Sequence, residues 1–135
     1  MKKNILLLVL IFSMCTLVVN AQKKGSVTVN TMFTGILDGY DHINKTMVYV
    51  DGKLECETSE LPQSRSNSCT FTLPRGRHKL RIINMAKYDG KWEEHTYENK
   101  YSLDALYEGK MKLRKKFTIN LVFDITKEKT FAKLN

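Results

Sequence analysis

Four basic residues, Arg75, Arg77, Lys79 and Arg81, stand two apart in the chain, and Lys110, Lys112, Arg114 and Lys116 repeat the spacing. A strand places every second side chain on the same face, so each set forms one cationic row. If the two strands share a sheet, the rows merge into a surface that concentrates anions by electrostatic steering: lipid phosphates, acidic polysaccharide or an acidic protein. Arg75, Arg77, Lys79, Arg81, Lys112 and Arg114 are the expected binding residues. The competing reading is a solvated outer face whose charges keep the sheet soluble and its edges unpaired. Nucleic acid is a poor candidate, because aromatic residues do not interleave with the basic rows.

A second group is aromatic. Tyr88, Trp92, Tyr97, Tyr101 and Tyr107 are mixed with Asp89, Glu93, Glu94, His95 and Glu98. Ring faces stack on pyranose C–H surfaces and carboxylates accept hydroxyl protons, so the alternative expectation is a carbohydrate platform at Tyr88, Trp92 and Tyr97. A lone tryptophan in a small β domain is more often packed than displayed. Glu93 and Glu94 are adjacent, point to opposite faces of a strand and cannot form the facing acid/base pair of a glycosidase.

His42, His78 and His95 stand alone, without zinc-ligand spacing. Asp38 to Asn44 gathers oxygen-bearing side chains but lacks the alternating ligands of a calcium loop, and reads as a plain loop. There is no nucleophile elbow and no Gly-rich phosphate loop. No metal, no cofactor and no catalytic residue is therefore expected, and an enzyme is the least favoured class.

The elements that must carry these residues are strands. Val27, Val29 and Phe33 alternate with polar positions, as does Met47 to Val50. Asp51-Gly52 then makes a hairpin turn into Lys53 to Cys56. Cys69 to Leu73 alternates, breaks at Pro74-Arg75-Gly76-Arg77 and resumes at His78 to Ile83, which predicts a second hairpin. Asp89-Gly90 turns into Trp92 to Tyr97. Leu103, Leu106 and Tyr107 between Ser102 and Gly109 have helical spacing and predict a short helix near 102–108. From Met111 to Ile125 apolar residues hold odd positions, a run long enough to need a bulge or bend near Lys115-Lys116. Lys127 to Ala132 is expected to return as an edge strand. Seven or eight short strands with turns about every ten residues describe an all-β, antiparallel β-sandwich, with a small barrel as the alternative.

Residues 1–21 have a charged start, an apolar stretch from Ile5 and a small exit residue, Ala21, the three parts of a secretory signal peptide. Cys15 raises a lipoprotein alternative, against which Met14 is bulky. Residues 22–135 are expected to form one exported domain in the periplasm, on the outer surface or outside the cell, with no transmembrane segment after cleavage. The 135-residue chain has 22 Lys+Arg against 14 Asp+Glu and a net charge of +8. Beyond the signal only Cys56 and Cys69 remain, and an oxidising compartment makes a disulfide the expectation, with two buried thiols as its competitor.

Val48-Tyr49-Val50-Asp51-Gly52-Lys53 followed by Leu73-Pro74-Arg75-Gly76-Arg77-His78-Lys79-Leu80-Arg81-Ile82 resembles the strand, DG turn and Leu-Pro-x-Gly-x-His-x-Leu hairpin of PEGA-type and related immunoglobulin-like or transthyretin-like bacterial surface modules. The resemblance covers residues 46–88 and departs from the family where Arg75 and Arg77 flank Gly76. It implies a non-catalytic envelope module that binds a protein or an anionic glycan or lipid.

Overall fold

The structure, a computed structural model, describes residues 21–135. The expected signal peptide up to Asn20, and Cys15 with it, lies outside the described residues. Ten strands follow in order: β1 (Lys24–Thr34), β2 (Ile43–Val50), β3 (Lys53–Glu57), β4 (Leu61–Pro62), β5 (Asn67–Pro74), β6 (Gly76–Tyr88), β7 (Lys91–Glu94), β8 (Leu106–Leu113), β9 (Lys116–Asp124) and β10 (Lys129–Leu134). Two sheets pack face to face. One has the order β10-β9-β1-β5, and the other runs β3-β2-β6-β7, with β4 beside β2 and β8 beside β6. All pairings are antiparallel except β1 with β9.

The core between the sheets is the inward half of each alternation. Val27, Val29, Ile119, Leu121 and Phe123 from one sheet meet Val48, Leu80, Ile82, Met111 and Leu113 from the other. Burying each side chain of this size contributes about 1.5–3 kcal/mol. The Asp51-Gly52 turn is as predicted: both residues have positive φ, 51° and 83°, and β2 and β3 pair as a hairpin. Asp89 and Gly90 repeat it between β6 and β7.

Two expectations are corrected at the corners. The Pro74-Arg75-Gly76 break is not a hairpin, since β5 pairs with β1 and β6 pairs with β2 and β8. It carries the chain from one sheet to the other, where Pro74 has no N–H to continue a ladder and Gly76 takes φ 141°. The 111–125 run likewise breaks at Arg114-Lys115 and splits into β8 and β9 in opposite sheets. Its odd-numbered apolar residues stay in phase across the break because both strands face the same interior. This split and the two-residue β4 raise the strand number above the seven or eight expected. Gly25 sits where β1 passes the second corner: a Cβ there would lie 2.8 Å from the Arg114 carbonyl oxygen.

The expected helix at 102–108 is absent. A single 3-10 turn occurs earlier, at Tyr97–Asn99, and Leu106 already pairs with Ile83 in the sheet. Leu103 and Ala105 are buried, and the Ala105 N–H donates to the His95 carbonyl at 2.8 Å. Sheet pairing and core insertion outcompete a helix too short to nucleate alone. Cys56 and Cys69 form a disulfide with Cα atoms 6.4 Å apart. It joins β3 to β5, the edge strands of the two sheets on one side, and so closes that side of the sandwich. No helix among the described residues is long and apolar enough to cross a membrane.

Candidate functional site

The two basic rows share a sheet in part: Arg77, Lys79 and Arg81 on β6 lie beside Lys110 and Lys112 on β8, whereas Arg75 and Arg114 fall in the corners and Lys116 opens β9 in the other sheet. In the β6–β8 register Arg77 lies opposite Lys112, Lys79 opposite Lys110, and Arg81 opposite Glu108. Directly opposed residues project on one face with Cβ atoms about 4.5–5.5 Å apart. The inward neighbours His78, Leu80 and Ile82 alternate with the cations, and Leu80, Ile82, Met111 and Leu113 anchor the two strands in the core. Among the described residues, none of Arg75, Arg77, Lys79, Lys110, Lys112 or Arg114 has a carboxylate within salt-bridge distance.

Arg81 differs from the rest of its row. Its guanidinium pairs with Glu94 at 3.0 Å and Glu108 at 3.5 Å, and lies 5.9 Å from the centre of the Tyr49 ring. Its charge is neutralised locally. Arg75 and Arg114 sit at the two corners, where a groove is lined by Arg75, Gly76, Lys112, Arg114, Lys115 and Lys116. The Arg75 Nε donates to the Lys24 carbonyl at 3.0 Å, which orients the guanidinium on the corner. The β6–β8 part of this surface is legible in the sequence because the two-residue spacing and the strand pairing both preserve it.

His78 fixes the ground beneath the cations. Its Nδ1 lies 2.7 Å from an Asp51 carboxylate oxygen and its Nε2 2.7 Å from the Pro74 carbonyl oxygen. Burial disfavours the imidazolium, but the acceptors Asp51 and Pro74 outweigh it, so the pKa rises above the ordinary histidine value. The Asp51 carboxyl is lowered by the Lys79 backbone N–H and then by His78. The β2–β3 turn is thereby tied to the β5–β6 corner.

A cleft of about 550 Å³ opens at the opposite end of the sandwich. Tyr40 and His42 reach it from the loop before β2, Gln63 from just after β4, Tyr88 from the end of β6, and Glu93, His95 and Tyr101 from β7 and the segment beyond. The His42 ring is edge-on to Tyr40, Tyr88 and Tyr101, with centroids 6.2–6.4 Å away. Tyr101 stacks on His95 at 4.2 Å and donates from its hydroxyl to Glu93 at 2.7 Å. Burial, and then the Glu93 carboxylate, hold the Tyr101 hydroxyl well above its ordinary pKa. His95 is fixed by its backbone, whose N–H donates to the Asn84 carbonyl while its carbonyl accepts from Ala105.

The expected aromatic platform is not assembled. Tyr88 pairs with Lys91 and Trp92 with Lys87, so successive residues send Tyr88 to the cleft and Trp92 to the outer face. There the Trp92 ring is covered by the ammonium groups of Lys45 and Lys87, 4.5 and 5.4 Å from its centre. Tyr97 donates to the Glu128 carbonyl on the far side of the loop. Glu93 and Glu94 diverge as expected, to Tyr101 and Arg81 respectively. The Asp41 carboxylate accepts from the Ser64 N–H and hydroxyl at 2.9 and 2.6 Å, which closes the loop.

No family model and no curated protein matches this chain. Among solved structures it is similar to one described as a trapped toxin (12% identity, TM-score 0.40), covering 84% of this chain and 23% of that one. It is also similar to the membrane-binding domain of pneumolysin (10% identity, TM-score 0.42; 84% of this chain, 96% of that chain). A third is a proposed cell adhesion protein from Bacteroides ovatus (10% identity, TM-score 0.44; 84% and 44%). The chain thus spans about a quarter of the length of the first toxin. At these similarities the chain's own residues carry the functional reading.

Proposed function

We propose that residues 22–135 are an exported, non-enzymatic binding module of the cell envelope that engages the phosphate or carboxylate groups of a glycan or lipid through the outer face of β6 and β8 and the adjoining corners. The observation that carries this reading is the pair of like-charged register positions, Arg77 with Lys112 and Lys79 with Lys110. Like charges directly opposed across a sheet are destabilising. A face needed only for solubility is served better by interspersed signs, as at Arg81 with Glu108 one position on. Repulsion at two neighbouring register positions supports a surface whose counter-charges arrive with a partner.

The test is retention of the mature chain on heparin and on immobilised lipopolysaccharide. The Arg77→Ser, Lys79→Ser, Lys112→Ser variant should elute at clearly lower salt than the wild type, whereas Arg81→Ser should elute close to it. Identical elution of wild type and triple variant would return the row to solubilising charge.

A further inference from the structure

We propose that the aromatic cleft at the end remote from the basic corners binds a neutral sugar ring. The site needs no contribution from the cationic face, so either can fail without the other.

The first support is exposed ring surface gathered from separate segments. Tyr40 is 63% and Tyr88 61% exposed, and they flank His42 on the cleft rim. Isolated exposed tyrosines are ordinary, but rings brought together from two distant segments provide the stacking surface that pyranose C–H groups need. The second support is polar and buried. His95 is 3% exposed, lines the cleft, and its Nδ1 lies 3.1 Å from the Gln63 side-chain nitrogen. Burial first, and then the charge of His42, push its pKa down to about 4, so the ring is neutral. With Nδ1 accepting from Gln63, the proton resides on Nε2, which has no protein partner among the described residues. That N–H is not among the buried side-chain atoms left without a partner, so it is open to the cleft and free to donate to a ligand hydroxyl.

Glu93 supplies the complementary acceptor, since Tyr101 engages only one of its carboxylate oxygens. Donor, acceptor and ring faces together match a polyol ring. The two charged side chains on the lining, Glu93 and Lys100, are of opposite sign, so the cleft offers no net charge to select an ionic ligand. The volume lies within the roughly 300–1,000 Å³ of small-molecule sites.

Saturation-transfer NMR on the mature chain, with lactose, cellobiose and N,N′-diacetylchitobiose as probes, tests the assignment. At least one disaccharide should receive saturation from the wild type. Tyr88→Ala and Glu93→Gln should each weaken that binding about tenfold or more, the loss of one stacking face or one charged hydrogen bond. Both positions lie at the rim or are conservatively changed, and circular dichroism checks that the variants fold. The Arg77→Ser, Lys79→Ser, Lys112→Ser variant should bind as the wild type does. No transfer to any of the three sugars, or transfer unchanged in Tyr88→Ala and Glu93→Gln, overturns the proposal.

Discussion

Single side chains in this protein are placed by strand parity, and their surroundings then set their chemistry. His78 shows the consequence. Its folded pKa is raised, so its stabilising contribution is complete below about pH 6.5 and is lost as pH rises through the raised value. Asp51 is lowered, so its share is present above about pH 3.8 and disappears as pH falls through the lowered value. Between these limits the turn and the corner are held together. The unfolding temperature should therefore fall as pH is raised from about 6 to 9, by more in the wild type than in His78→Gln. Equal pH profiles for the two proteins would show that the Asp51–His78–Pro74 link carries no pH-dependent stability. Trp92 teaches the converse: composition marks it as the dominant aromatic, but one residue of parity turns it away from Tyr88. Tyr40 and His42 were legible only as residues of the Asp38 to Asn44 loop, and Gln63 carried no signal, because no periodicity reports where a loop returns.

At the scale of elements, alternation and DG turns were legible, while the sheet to which each strand belongs was not. Pro-x-Gly marks a reversal, and a reversal is common to a hairpin and to a corner between sheets; what decides is the partner strand, distant in sequence. The 111–125 run hides its corner for the same reason, since both halves face one core. Cross-strand registers make a sharp prediction here. Lys110→Glu would place a carboxylate opposite Lys79, so it should raise stability by about 0.2–1 kcal/mol in a denaturant melt while weakening retention on heparin. Lower stability together with undiminished retention would contradict both the register argument and the binding assignment. The disulfide is a second element-scale device, joining the outer strands of two layers. Cys56→Ser, Cys69→Ser should lose about 3 kcal/mol of unfolding free energy, read from urea melts of both proteins. A loss near zero would mean that the edges stay together without it.

Across the whole molecule one end of the strand axis is rich in cations and poor in carboxylates, holding Asp51 and Glu55 alone among the described residues. The other end mixes both signs, with Arg65, Lys87, Lys91, Lys100, Lys127 and Lys129 among its carboxylates. The ends of β1 and β9 that begin at Lys24 and Lys116, the corners at Arg75 and Arg114, and the β2–β3 turn lie at one end. Lys23, Lys24, Arg75, Arg77, Lys112, Arg114, Lys115 and Lys116 collect there, whereas Asp38, Asp41, Glu60, Asp89, Glu93, Glu98, Asp104 and Glu128 lie toward the other. On the proposed reading, this cation-rich end would turn toward an anionic surface and leave the cleft facing outward, with a reach of about 8 Å at physiological ionic strength. Net charge alone cannot produce that orientation. The decisive measurement compares two variants of equal net charge: Arg77→Ser, Lys79→Ser, Lys112→Ser at the basic end, and Arg65→Ser, Lys91→Ser, Lys129→Ser away from it. In elution from immobilised lipopolysaccharide against a salt gradient, the first should leave the column well before the second, and the second close to the wild type. Equal displacement of both would show that only total charge matters, and would contradict a binding face on β6 and β8.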